Sequence, residues 1–182
     1  KEKLTYMVPL TLAIIVILLY VNFGRVTPVA LLVFTMPMSL VGSVWLMYWL
    51  GFNFSIAVGV GLIALAGIAV ETGVIMIVYL NQALRELHEK SSVAQNQITT
   101  EMLSAAVLRG AGLRVRPVLM TAGATIIGLI PIMLGTGTGS EVMSRLAAPM
   151  VGGMVSSVLL TLLVLPCIYF LWQKFLLSKP TQ

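Results

Sequence analysis

The run ALAGIAVETGVIMIVYL at residues 64–80 is the most restrictive feature of this chain, because it is apolar enough to cross a bilayer yet carries Glu71 near its middle. A charged carboxylate at mid-bilayer costs about 2.5–3.5 kcal/mol, and such residues usually face a helix-bundle interior or water. Ala64 and Gly67 lie on the same helix face as Glu71, and small residues allow close helix contact. We therefore predict that Glu71 points into protein and exchanges protons. The alternative is a permanently protonated glutamic acid that only fixes helix packing.

The composition places the whole chain in a membrane. Of its 182 residues, 59% are hydrophobic and 9% are charged, with a mean hydropathy of +1.03. A soluble domain of this length needs much more charged surface. Mostly apolar runs of about 18 or more residues indicate spanning helices. The predicted fold class is an all-α polytopic bundle with five transmembrane helices, at roughly residues 4–23, 29–50, 55–80, 118–134 and 147–172.

The basic residues fall mainly on one side of these spans. Eight of them lie in the first loop, the third loop and the C-terminal tail, whereas three lie on the opposite side. The positive-inside rule then places the C-terminus in the cytoplasm and the N-terminus outside. This distribution makes membrane lipid, and not nucleic acid, the expected partner of a chain whose pI is about 9.7.

The connections between the spans differ in length. Residues 24–28 and 51–54 are predicted to be tight turns, so the first three spans are expected to be antiparallel neighbours. Residues 81–117 form the only sizeable soluble piece. Within it, TTEMLSAAVLRGAG (99–112) predicts a short cytoplasmic amphipathic helix that lies along the membrane face and is ended by its two glycines.

The fourth span offers polar groups that could accompany Glu71. Thr121 and Thr125 share one helix face, and Gly128 follows on the same side. Threonines in membrane helices often bond only the carbonyls of their own helix. The residues alone therefore leave open whether Thr121 takes part in proton transfer or only satisfies its own helix.

Met143 is the methionine of most interest, because it lies at the outer membrane boundary beside Glu141 and Arg145. Thioethers are soft ligands that favour Cu(I) or Ag(I). Met150 and Met154 continue along the same helix, and packing explains them more simply.

The remaining reactive side chains predict no enzyme and no bound cofactor. Cys167, the only cysteine, is interpreted as an inert buried thiol, and His88 as a solvated residue of the long loop. The sequence contains no HExxH motif and no pair of intramembrane aspartates.

Three ordered segments carry a family resemblance: GLIALAGIAVETGVIMIVYLNQA, LRVRPVLMTA and GTGTGSEVMSRLAAPMVGGM. They resemble the C-terminal membrane half of RND (resistance–nodulation–division) pumps of the heavy-metal branch, closest to the copper/silver CusA-like permeases. The resemblance covers nearly the whole chain and implies the last five spans of that half, with a periplasmic N-terminus. The opening KEKL, which lacks an initiator methionine, fits the expectation of a piece of something larger.

The resemblance also implies an activity and its partners. It implies a homotrimeric, proton-driven antiporter of the bacterial inner membrane that works with a periplasmic adaptor and an outer-membrane channel. The transported ion would be Cu(I) or Ag(I). Alone, the five spans would not transport, because the rest of the permease supplies the other relay groups.

Residue by residue, Glu71 matches the glutamate of the copper/silver proton relay, where drug exporters carry lysine. Thr121 matches a threonine of the drug branch's relay, and Met143 matches a methionine on the stepwise ion path of the copper branch. Copper-type members can carry a relay lysine where this chain has Val118. Branches for zinc, cobalt or cadmium show an apolar residue there. Exporters of another metal, of drugs or of lipids, and a non-transporting bundle with a structural Glu71, are the alternatives.

Overall fold

The computed structural model describes residues 2–94 and 99–178, and the regular structure in this part of the chain is helical throughout. A π-helical turn interrupts the last long helix between α5 and α6. The elements in order are α1 (Glu2–Phe23), α2 (Val26–Leu50), α3 (Ile56–Ala94), α4 (Thr100–Leu134), α5 (Ser140–Leu159), the π-helix (Leu160–Val164) and α6 (Leu165–Ser178).

The all-α fold class is confirmed. Among the described residues, four helical segments are long and apolar enough to cross a membrane: Val26–Leu50, Ile56–Ser91, Thr100–Leu134 and Ser140–Leu176. The first predicted span is represented by a shorter apolar helix, Pro9–Phe23. The sidedness of the termini stays a prediction.

The tight turns are also confirmed. Only Gly24 and Arg25 separate α1 from α2, and α2 and α3 are joined through residues 51–55. Gly51 closes α2 with a left-handed φ of 65°, and its N–H points to the carbonyls of the last helical turn. The chain therefore reverses direction twice within its first three helices.

The separate amphipathic helix predicted over residues 99–112 is wrong. This segment is the first part of α4, which runs unbroken from Thr100 to Leu134. Its apolar side, with Leu103 and Val107, is buried in the main hydrophobic core. Gly110 is part of the contact with α3, because an added Cβ would approach the Tyr79 carbonyl oxygen to 3.1 Å. That packing offsets the roughly 1 kcal/mol by which glycine disfavours a helix.

The most extensive contact between two helices joins α2 to α5. Gly42 and Gly152 face each other across it, and a Cβ built on Gly152 would lie 2.5 Å from the Gly42 carbonyl oxygen. The buried Ser43 hydroxyl donates to the Pro149 carbonyl at 2.5 Å. A second interhelical hydrogen bond runs from the Ser156 hydroxyl of α5 to the Ser39 carbonyl of α2, at 2.6 Å. Small residues and interhelical hydrogen bonds are what hold helices together in lipid, where apolar surface alone provides no driving force.

We predict that Gly152→Ala destabilises the purified protein in detergent by about 1–3 kcal/mol, because the new methyl group forces α2 and α5 apart. Thermal unfolding followed by circular dichroism measures this loss. The matched control is Gly112→Ala in α4, where an added Cβ meets no atom within 4 Å of the described chain. Equal stability of the two variants would contradict the α2–α5 contact.

Candidate functional site

Glu71 lies near the middle of α3, on a face that the other helices leave open. Glu71, Ala64 and Gly67 are all exposed, whereas Leu65 and Met76 on the opposite face are fully buried. The small-residue stripe predicted around Glu71 is therefore present, but the described helices pack against the other side of α3. This segment alone does not enclose the carboxyl group.

A small cavity lies between α3, α4 and α5. Its volume is about 40 Å³, and its mostly apolar wall carries four hydroxyl residues, Thr72, Thr121, Thr125 and Ser157. A cavity of this size has room for a water molecule, to which the hydroxyl groups could hydrogen-bond. The cavity thus brings together hydroxyl groups from three helices, and we call it the threonine cavity.

The threonine hydroxyls all donate within their own helices. Thr72 donates to the Ile68 carbonyl at 2.7 Å, and Thr125 to the Thr121 carbonyl at 2.8 Å. Thr121 shares its proton between the Pro117 and Val118 carbonyls, each at 3.1 Å. Each hydroxyl oxygen keeps acceptor capacity, so a water molecule in the cavity could donate to it. Donation to the helix backbone is thus the arrangement found for both candidate threonines.

Val118 lies on the wall of the same cavity and is only 2% exposed. The position where the family resemblance allows a relay lysine is therefore directly beside the threonine hydroxyls. An isopropyl group there supplies no charge and no hydrogen bond. Any polar contact made by this wall has to come from the threonines and Ser157.

Met143 lies apart from both features, in the first turn of α5. Its side chain is 55% exposed. A pocket of about 320 Å³ nearby is lined by Glu141 and Arg145, together with Phe52 from the α2–α3 turn. Met154 is buried beside Leu65, so packing does explain this methionine.

The structure thus places the three predicted site residues at three locations. Glu71 is on the open face of α3, Thr121 is on the threonine cavity, and Met143 is on the exposed start of α5. Sequence reasoning missed Thr72 and Ser157, although both are hydroxyl residues inside predicted spans. Their convergence depends on how three helices pack, which no local pattern encodes.

Two further side chains were also assigned from sequence. The prediction of a buried thiol is wrong, because Cys167 is exposed. Its neighbours Leu165 and Tyr169 face the core, and a residue two positions from each lies on the opposite side of the helix. His88 is exposed, as expected, and its Nδ1 lies 2.8 Å from the Leu84 carbonyl oxygen. Across residues 2–94 and 99–178, no three His, Cys, Asp or Glu side chains cluster as a metal site.

Comparison with known proteins extends over nearly the whole chain. The model of the AcrB/AcrD/AcrF family matches residues 1–173. The chain is 51% identical over 175 residues to the putative cation efflux system protein SilA of Salmonella typhimurium, covering 96% of this chain and 16% of SilA. It is 48% identical over 169 residues to the cation efflux system protein CusA of Escherichia coli K12, covering 93% of this chain and 16% of CusA.

More distant relatives and a solved structure agree with this match. The cobalt-zinc-cadmium resistance protein CzcA of Cupriavidus metallidurans is 39% identical over 168 residues, covering 92% of this chain and 14% of CzcA. A crystal structure of a heavy metal efflux pump superposes with a TM-score of 0.78 at 35% identity, covering 95% of this chain and 16% of that one. The chain therefore spans about one sixth of the length of SilA and CusA.

We predict that Thr121→Val changes the stability of the protein by no more than about 0.5 kcal/mol, because the lost hydroxyl bonds only carbonyls that its own helix already engages. Chemical denaturation in detergent measures the difference. A loss of 2 kcal/mol or more would show that the hydroxyl holds a partner outside its helix.

Proposed function

The chain belongs to the AcrB/AcrD/AcrF family, in the heavy-metal branch of the RND permeases, and from this we propose that it forms part of the membrane domain of a proton-driven exporter of heavy-metal cations. Members of this family are transporters and not enzymes in the usual sense. The observation that carries the proposal is a carboxyl group at the middle of an apolar helix of spanning length.

The proposed ion is Cu(I) or Ag(I). The chain is about half identical to SilA and CusA but 39% identical to the cobalt-zinc-cadmium resistance protein CzcA. Val118 is the observation that favours another metal, since the zinc, cobalt and cadmium branches also show an apolar residue at this position. An exporter of zinc, cobalt or cadmium is therefore the second candidate. A drug or lipid exporter is less well supported, because position 71 holds an acid where the drug branch has lysine.

Glu71 acts in this proposal as a proton carrier. The exposed stripe of Ala64, Gly67 and Glu71 is where the rest of the permease would pack, since small residues admit close helix contact. Charging a carboxyl group in such a site changes its free energy by about 2.5–3.5 kcal/mol. Every 1.4 kcal/mol is tenfold in an equilibrium constant. One proton can therefore shift a two-state helix arrangement by about two orders of magnitude.

Thr121 contributes to the same relay through the threonine cavity. Its hydroxyl oxygen keeps acceptor capacity after donating to the helix backbone, so water in the cavity could pass a proton along its wall. Met143 offers a thioether to the departing ion at the end of the bundle predicted to face outward. The complete transporter is proposed to be an inner-membrane homotrimer with a periplasmic adaptor and an outer-membrane channel.

We predict that Glu71→Gln in the complete transporter reduces proton-coupled metal export to background, because glutamine keeps the size and hydrogen bonding of glutamic acid but cannot release a proton. Glu71→Asp, which keeps the carboxyl group, is expected to retain partial export. Reconstituted vesicles with an imposed pH gradient provide the measurement.

The matched control is Glu101→Gln, the same exchange at an exposed residue in the first turn of α4. It is expected to export like the wild type. Wild-type export by the Glu71→Gln protein would instead support the structural alternative, in which this residue only fixes packing.

Replacing Met143 by Leu tests the ion path, because the exchange conserves volume while removing the thioether. Cells carrying Met143→Leu are expected to tolerate several-fold less Cu(I) or Ag(I) while resistance to zinc and cobalt is unaltered. Met102→Leu, at another exposed methionine near the start of α4, serves as the control. Unchanged copper and silver tolerance would return Met143 to a packing role.

A further inference from the structure

A larger pocket lies at the end of the bundle where α1 turns into α2, and the transport proposal does not use it. Its volume is about 580 Å³, and it is bordered by that turn, the C-terminal part of α3 and α6. We propose that this pocket binds an anionic phospholipid, with the phosphate held by Arg25 and Arg85 and the first part of an acyl chain against the apolar wall.

The charged rim of the pocket favours an anion. Arg25 is in the α1–α2 turn and Arg85 is on α3, so the two guanidinium groups approach the pocket from different elements. Glu89 also lines the pocket, so its lining carries two guanidinium groups and one carboxylate. Guanidinium groups bind phosphate through paired, charge-assisted hydrogen bonds.

His88 also lines the pocket. Its Nδ1 lies 2.8 Å from the Leu84 carbonyl oxygen, which can only accept, so Nδ1 donates in that contact and is already engaged. The proposal therefore depends on the two arginines and not on the histidine.

The floor and wall of the pocket distinguish a lipid from a free ion. At the floor, the Tyr169 hydroxyl donates to Asn81 Oδ1 at 2.6 Å, so its proton is already engaged within the protein. The wall is apolar and aromatic, and it consists of Phe23, Pro28, Leu31, Leu84, Trp172 and Leu176.

An inorganic phosphate ion would leave that wall unused. Tryptophan and arginine together are typical of the zone where lipid headgroups lie, and basic pockets between spanning helices bind anionic headgroups. The pocket volume falls within the range of small-molecule sites. The charge distribution along the chain also predicts that this end of the bundle faces the cytoplasm, where anionic lipids are enriched.

The test uses the purified complete transporter in a neutral detergent. Dioctanoyl phosphatidylglycerol, dioctanoyl phosphatidylcholine and inorganic phosphate are titrated separately, and binding is followed by the shift in the thermal unfolding midpoint. We expect phosphatidylglycerol to bind most tightly. The double variant Arg25→Gln/Arg85→Gln should weaken it about 25-fold, since each such arginine contributes roughly a factor of five. Phosphatidylcholine binding should change little.

The control variant is Arg109→Gln. Arg109 is an exposed arginine of α4 that does not line the pocket, and its neighbour Gly110 contacts α3 near the level of Arg85. It should bind phosphatidylglycerol like the wild type. The thermal unfolding midpoint without lipid reports whether each variant folds. Trp172→Ala provides a second test that leaves the arginines intact, because it should weaken the binding of lipid but not of phosphate.

Three results would overturn the proposal. Undiminished phosphatidylglycerol binding by the double variant would remove the site. Inorganic phosphate that stabilises the protein as strongly as the lipid would identify a free-anion site. A wild type that does not prefer phosphatidylglycerol over phosphatidylcholine would show that the pocket does not select an anionic lipid. None of these results depends on whether Glu71 carries protons.

Discussion

The close contact between α2 and α5 is the interaction on which the rest of this bundle depends. In lipid, helices gain nothing by hiding apolar surface from water, so their association relies on backbone approach and hydrogen bonds. Gly42 and Gly152 provide the approach, and the serine hydroxyls bonded to the Pro149 and Ser39 carbonyls provide the bonds. With α5 held in this way, its other side is available to α3 and α4. That side carries the Met154 and Ser157 wall of the threonine cavity.

The two sides of α3 consequently have different environments. One side is packed against the bundle and brings Thr72 to the cavity, while the neighbouring residue Glu71 is on the open side. A carboxyl group on an open side can be covered by a second set of helices without disturbing the first. If a second set of helices packs here, as we propose for the complete transporter, its movement would change the surroundings of Glu71 and leave the α2–α5 contact intact.

The sequence predicts much of this fold and a smaller part of the site. The spanning helices and the turn at Gly51 follow from apolar runs and glycine placement. Gly110 was misinterpreted as a helix end because its close contact with α3 is invisible to local pattern. Cys167 was misplaced because an apolar run alone does not reveal which side of a helix is buried. Thr121 and Thr125 share one predicted helix face, but their convergence with Thr72 and Ser157 depends on the packing of three helices, which local pattern does not reveal.

The π-helical turn at Leu160–Val164 has a consequence for how distant parts of the bundle are joined. Ser157, Thr161, Leu165 and Tyr169 are buried at intervals of four residues. In an ordinary α-helix that interval overshoots each 3.6-residue turn by about 40°, so the row would spiral away from the core. A π turn carries more residues per turn than an α-helix, so it offsets part of this drift. This row of buried residues thus connects the threonine cavity, which Ser157 lines, with the arginine-rimmed pocket, which Tyr169 lines. The two sites have no lining residue in common.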